Sequence, residues 1–432
     1  MLSNLKFLIM KKNLLLIVLI FICKDLVAQQ NNGIQGEKNW TNLWTNFKPK
    51  TTEYSEANEI LSGNITESKT LYKKSTYLLS GSVYVTNNAT LTIEPGTVIR
   101  GEMETNGTLV VTKNSKIIAN ASETDPIIFT SNKGINDRNA GDWGGLVILG
   151  DAPINKHGGV ASVEFNLNPL FSSYGGENIL SNSGILNYVR IEFAGRKNDL
   201  GRELNGLSLA GVGSKTKLNY IQVSYSKDDS FECYGGVVNL NNLVSYRSND
   251  DDFDFTQGVQ CNIYNSMALR NPYISDASIS RCFEIDSYDK PENADFSKKQ
   301  TSILADNITL VNTEENFEGL TREAIFIKEN SNFELKNSLI HGFAPGIVLE
   351  NKISLNPEKM RKIILKNVLF NACTKQIKFE STDKSDQLDS FILENVNEIT
   401  ISNLPQLDLF NECNLKKAVD FRVKANKSLG SR

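Results

Sequence analysis

The chain has 432 residues, with 46 Lys and Arg against 50 Asp and Glu, a formal net charge of −4, 40% hydrophobic residues and 22% charged ones. That balance is ordinary for a chain that buries a core. The lack of a basic block after the first residues argues against a nucleic-acid partner. Length alone allows two or three domains, but a solenoid can hold this many residues as one.

The chain opens with Lys6, Lys11 and Lys12, followed by the apolar run LLLIVLIFI at 14–22. This predicts a signal peptide over residues 1–28 with cleavage near Ala28, because the run is short for a bilayer span. The alternatives are an uncleaved anchor and a lipid on Cys23. Bulky Ile22 opposes the lipid, since processing there wants a small residue. No second long apolar run follows, so no transmembrane span is expected in the mature chain. Export leaves the periplasm, the cell surface or the medium as destinations.

Residues 29–72 are polar, with Trp40 and Trp44 as anchors, and are expected to be loose or to cap a solenoid end. From 73 to 410 the texture is short β-rich runs between Gly, Asn, Asp and Ser: VYV (83–85), TLTI (90–93), TLVV (108–111), IIFT (127–130) and GLVIL (145–149). No helical period intervenes. The runs also repeat. ATLTIEPGTVIRG (89–101) resembles GTLVVTKNSKIIAN (107–120), NYVRIEF (187–193) matches NYIQVSY (219–225), and VSYSKDDSFE (223–232) matches VSYRSNDDDFD (244–254). Coils of roughly 18–30 residues with variable loops fit an all-β fold, a right-handed three-sided parallel β-helix. Asn307, Asn337 and Asn367 each open an apolar run, which suggests a stacked amide ladder, left-handed turns, or both. Residues 411–432 are expected to be a cap or tail.

Cys233, Cys261, Cys282, Cys373 and Cys413 follow the leader, an odd number without a CxxC pair. Buried thiols are favoured over a disulfide framework or zinc.

Several segments together, among them LSGSVYVTNNATLTIEPGTVIRG (79–101), GDWGGLVILGDAPIN (141–155), GILNYVRIEFAG (184–195), VSYSKDDSFECYGG (223–236) and LVSYRSNDDDFD (243–254), resemble a family of exported, pectin-lyase-like β-helix proteins common in Bacteroidota. The likeness covers about residues 75–290. It implies the fold and a place at or beyond the outer membrane, and no reaction.

Aligning Phe231, Phe253 and Phe283 stacks Glu232, Asp254 and Glu284 on successive coils. Carboxylates stacked at strand spacing repel one another unless a cation, a raised pKa or solvent relieves them. Asp228, Asp229, Glu232, Asp250, Asp251, Asp252, Asp254 and Glu284 are the candidate ligands for a hard cation, with Ca²⁺ the fitting ion. Arg190, Arg247 and Arg270 are candidate internal counter-charges. Asp229, Asp251, Asp254 and Arg247 are the candidates for glycan cleavage, although the Gly-His-Gly and Arg-Ile-Lys of polygalacturonase-like sites are missing. Inverting hydrolysis would need carboxylates about 6.5–9.5 Å apart. Trp143 in GDWGGLVILG and Arg270 are candidate binding residues, with corner packing the plainer role for the Trp.

The expectation is a non-catalytic β-helix presenting a face to glycan or to another envelope protein, with no required cofactor. The alternatives are a polysaccharide lyase or glycoside hydrolase using the acids at 228–254, and a Ca²⁺-stabilised structural protein or adhesin. A groove bordered by loops at 132–142, 155–183 or 271–300 would favour ligand binding over a bare acidic ridge.

Overall fold

The computed structural model describes residues 32–198, 201–276, 279–314, 320–353, 362–381 and 398–424. The signal peptide expected at 1–28, with Cys23, lies outside them. The strands stack in parallel into one sheet of 17 strands and one of 11. Each coil lays two stretches on the larger sheet and one on the smaller. The stretch Lys217–Ser224, for example, feeds Phe231–Tyr234 in the smaller sheet. The fold is the parallel β-helix expected.

Where the two stretches on the larger sheet join, the backbone bends through a left-handed residue. Tyr188, Tyr220, Asn242, Asn265, Asn307, Asn337 and Asn367 all have positive φ, between 46° and 56°. Strand pairing puts them in one column. Asn tolerates this conformation because its short amide bonds locally. The amides also form a ladder: Asn367 Nδ2 donates to Asn337 Oδ1 at 2.9 Å, and Asn337 Nδ2 donates to Asp306 Oδ1 at 2.9 Å. Ladder and turn chemistry therefore coexist, with Asp306 taking the rung expected of Asn307.

The interior is filled by columns one side chain deep. In the smaller sheet Phe231 pairs with Phe253 and Phe253 with Phe283. Their ring centroids are 5.1 Å apart at both steps, and all three side chains are buried. Among the described residues the cysteines are free thiols, with Cys233, Cys261 and Cys282 buried.

The outer side of the larger sheet is also apolar, with Val244, Met267, Leu269, Val311, Leu339 and Leu369 in one cluster. Such a face has to be covered. Two segments cover it. Residues 32–57 form a strap that runs from late coils to early ones. Asn32 donates to the Asn367 amide and backbone, Ile34 N to Thr309 Oγ1, and Gln35 N to Asn265 Oδ1. Trp44 then sets its edge on Tyr188 and Tyr220, Phe47 meets Tyr246, and Tyr54 donates to Glu192. Leu409, Phe410, Val419 and Phe421 complete the cover. Both terminal segments thus lie along the flank, a different course from the end caps their polarity suggested. The loop at 132–142 serves the strap, since buried Arg138 donates to the Pro49 and Thr52 carbonyls.

Candidate functional site

The outward column of the smaller sheet reads Tyr84, Val110, Val147, Ser208, Glu232, Asp254, Glu284, Phe326, Val348. Side chains alternate in a strand, so each of these faces away from the phenylalanine column. Three carboxylates therefore interrupt a file that is otherwise apolar except for Ser208, and the stacking expected for Glu232, Asp254 and Glu284 is what the pairing gives.

The eight candidate acids divide into two groups. Three have structural partners. Asp252 is fully buried and pairs with fully buried Arg270 at 3.0 Å. Glu284 is held by Arg281 and by Lys328, the latter at 2.5 Å. Asp251 accepts the backbone N–H of Arg281, while its own N–H donates to Asp229 Oδ1 at 2.9 Å, so acid side chains staple one turn to the next. The other five converge. Oxygens of Asp228, Asp229 and Asp250 lie within 4.8 Å of one another, as do oxygens of Asp229, Glu232 and Asp254.

Charge and burial act together on these groups. Burial, then neighbouring carboxylates, pushes Asp228, Asp229 and Asp254 well above the usual carboxylate range, and Asp251 likewise despite Arg281 and Arg270. Burial lifts Glu232 to about 7, against hydrogen bonds from Tyr234 and Asn205 that favour its anion. Asn205 Nδ2 lies 2.5 Å from Glu232 Oε2. Each trio offers three of the 6–8 oxygens that Ca²⁺ takes, and hard oxygen donors suit that ion. The oxygens lie closer than the spacing of inverting hydrolysis.

Arg247 stands apart from the acids. Its φ of 56° turns the chain, and its guanidinium lies over the Tyr246 ring at 5.4 Å. Arg190 bonds Tyr54 and Glu192 instead. Arg270 has no exposed surface to offer a ligand. Trp143 has none either: it packs on Phe129 and donates Nε1–H to the Glu192 carbonyl at 2.8 Å.

A cleft of about 530 Å³ opens on the same face. Its floor is Glu232, Tyr234 and Gln257, one wall is the loop at Lys156–Glu164 with Tyr174, and the other is Asp289–Asn293. These walls come from two of the long loops picked out in the sequence. They clasp each other through Lys156–Asp289 at 2.5 Å, Lys290–Glu164 at 3.0 Å and Lys298–Glu177 at 3.4 Å. The hairpin of Ala161–Ser162 with Ser173–Tyr174 is steadied beneath by Phe165, Leu167 and Ile154. Tyr174 donates to Gln257 Oε1 at 2.9 Å. Tyr174, Tyr234, Asn205 and Gln257 escaped the sequence argument; the repeated Tyr-Gly-Gly at 174–176 and 234–236 was their one visible signal.

Among the described residues no helix is long and apolar enough to cross a membrane. Residues 63–407 match the family model for a pectate-lyase like beta helix domain. No curated protein matches the chain. Two solved structures are similar. One is the enzymatically active domain of bacteriophage CBA120 tailspike protein 2, at 12% identity over 77% of this chain and 42% of that chain, with a TM-score of 0.26. The other is full-length tailspike protein 2 from Escherichia coli O157:H7 bacteriophage CAB120, at 10% identity over 77% of this chain and 38% of that chain, with a TM-score of 0.23. This chain thus spans less than half the length of either.

Proposed function

The chain belongs to the family of pectate-lyase-like β-helix domains, and from that premise we propose that it binds an extended saccharide in the cleft above Glu232, Tyr234 and Gln257. What carries this proposal is the cleft itself, a built concavity of about 530 Å³ with tyrosine rings beside convergent polar groups. Saccharides are recognised by that mixture, in which ring faces meet C–H surfaces and amides and carboxyls fix the hydroxyls. The signal peptide expected from Lys6, Lys11, Lys12 and the apolar run at 14–22 would place this action outside the cytoplasm. Calorimetry with a panel of oligosaccharides tests the proposal. A tetrasaccharide should bind wild type and lose at least about tenfold in affinity with Tyr234→Ala, about 1.4 kcal/mol. Equal affinity in both proteins would remove the cleft as the site.

A second reading, glycoside hydrolysis, is favoured by one observation. Glu232, lifted to about 7, matches the pKa wanted of a general acid near neutrality, and Asp229 and Asp254 supply adjacent carboxylates. Reducing ends released by wild type and lost in Glu232→Gln would support it. Release that persists in that variant would oppose it.

A further inference from the structure

Resting on the saccharide proposal for this cleft, we infer that the ligand carries a free primary amine, seated as an ammonium between Asp229, Glu232 and Asp254. The other acids that line the cleft are matched with cations: Glu203 with Lys197, Asp289 with Lys156 and Glu164 with Lys290. Among the described residues no Lys or Arg nitrogen stands at ion-pair distance from Asp229, Glu232 or Asp254. Protons relieve the trio in the free protein, a bound cation would take their place, and Glu232 is the member that lines the cleft.

Two further atoms point the same way. Oδ1 of Asp254 and Oδ1 of Asn205 are both sealed from solvent without a hydrogen-bond donor. Asn205 is only 1% exposed, and its amide nitrogen already donates to Glu232. A buried acceptor without a donor is costly, so the ligand should bring several donors here, N–H groups for the trio and a sugar hydroxyl for Asn205. An ammonium has three N–H donors and no acceptor. Seated about 2.8 Å from three acceptors at tetrahedral angles, it needs oxygens about 4.6 Å apart. The trio's oxygens lie within 4.8 Å of one another. A uronate would bring a further anion to the same place and be repelled. Of the cations lining the cleft, Lys156 and Lys290 are committed to Asp289 and Glu164, while Arg202 is the one whose pull on a uronate the tetragalacturonate measurement reads.

Calorimetric titration of the full chain near pH 6 tests the inference with four probes. These are the β-1,4 tetramer of glucosamine, its fully N-acetylated counterpart, tetragalacturonate, and calcium chloride alone. The free-amine tetramer should bind at least about tenfold more tightly than the acetylated one, with tetragalacturonate weakest. Asp254→Asn and Glu232→Gln should each bring the ratio of the two glucosamine tetramers' affinities, measured in the same variant, from about tenfold to near one. Equal binding of the two glucosamine tetramers, or a preference for the uronate, overturns the ammonium seat and leaves the saccharide cleft standing. Calcium that binds and excludes the amine overturns it in favour of a metal site. Failure of all three saccharides to bind removes the cleft proposal itself, and this inference with it.

Discussion

Asp252 and Arg270 show how little freedom a single buried charge has. Neither side chain is exposed, and Arg270 also donates to the Asp250 and Arg281 carbonyls at 2.8 Å. Arg270→Met leaves the carboxylate without its counter-charge and should lower unfolding free energy by about 3–5 kcal/mol in urea titration. Adding Asp252→Asn should recover part of that loss. Glu232 titrates in a different setting, facing Asp254, Asp229, Asp250 and Asp289, with Tyr234 and Asn205 as donors. Its pKa rises from the usual 4.5 to about 7 on folding, so between those values the folded chain holds more protons than the unfolded one. Stability should therefore fall as pH rises through that window and level off above it. The raised Asp228, Asp229 and Asp254 act in the same direction. Thermal melts from pH 4.5 to 7.5 would show the slope, and Glu232→Gln should make it shallower; a melting temperature that climbs with pH contradicts it. The acids were legible in the sequence because Phe231, Phe253 and Phe283 set their register. Of their cations, Arg270 was legible as a counter-charge and pairs with Asp252, whereas Arg281, three residues before Glu284, and Lys328, from a later coil whose loop length differs, were not.

At the scale of elements, the strap is the part the sequence concealed. The expected polar cap at 29–72 divides in the structure, its later part supplying the strands Glu59–Leu61, Asn64–Ile65 and Lys69–Leu71 and its earlier part the strap, where Trp44 is wholly buried against Tyr188 and Tyr220. Its partners lie far along the chain, and nothing local in the segment names them. NYVRIEF and NYIQVSY revealed the repeated coil, but not that Tyr188 and Tyr220 would stack at 4.4 Å beneath a tryptophan. Trp44→Ala should cost about 3–5 kcal/mol in chemical unfolding and speed proteolysis within residues 32–57 ahead of the coils. Cleavage at the wild-type rate would mean that the strap is held without its tryptophan. The cleft walls were legible only as long loops. That they meet across Glu232 depends on ion pairs between segments more than a hundred residues apart, such as Lys290 with Glu164.

For the whole molecule, the solenoid was legible because every coil repeats the same demand for short apolar strands and a turn. The phenylalanine column depends on that stacking and confirms it at residue level. Folding should therefore proceed coil by coil, with the strap docking once the coils it crosses exist, because contacts of large sequence separation form late. Two of the three tryptophans lie in the strap, and Trp143 sits within a coil. In a Trp143→Phe variant, fluorescence recovery during refolding should lag recovery of the far-ultraviolet β signal. Coincident traces would mean that strap and coils form together.

The hydrogen bond from Asn32 to Asn367 spans 335 residues. Asn32 must therefore wait for Asn367 to be made before it finds its place. A translation product halted soon after Tyr246 could already seat Trp44 and Phe47, yet Asn32 and Ile34 would dangle until Thr309 and Asn367 emerge, a loose end that only later synthesis ties down.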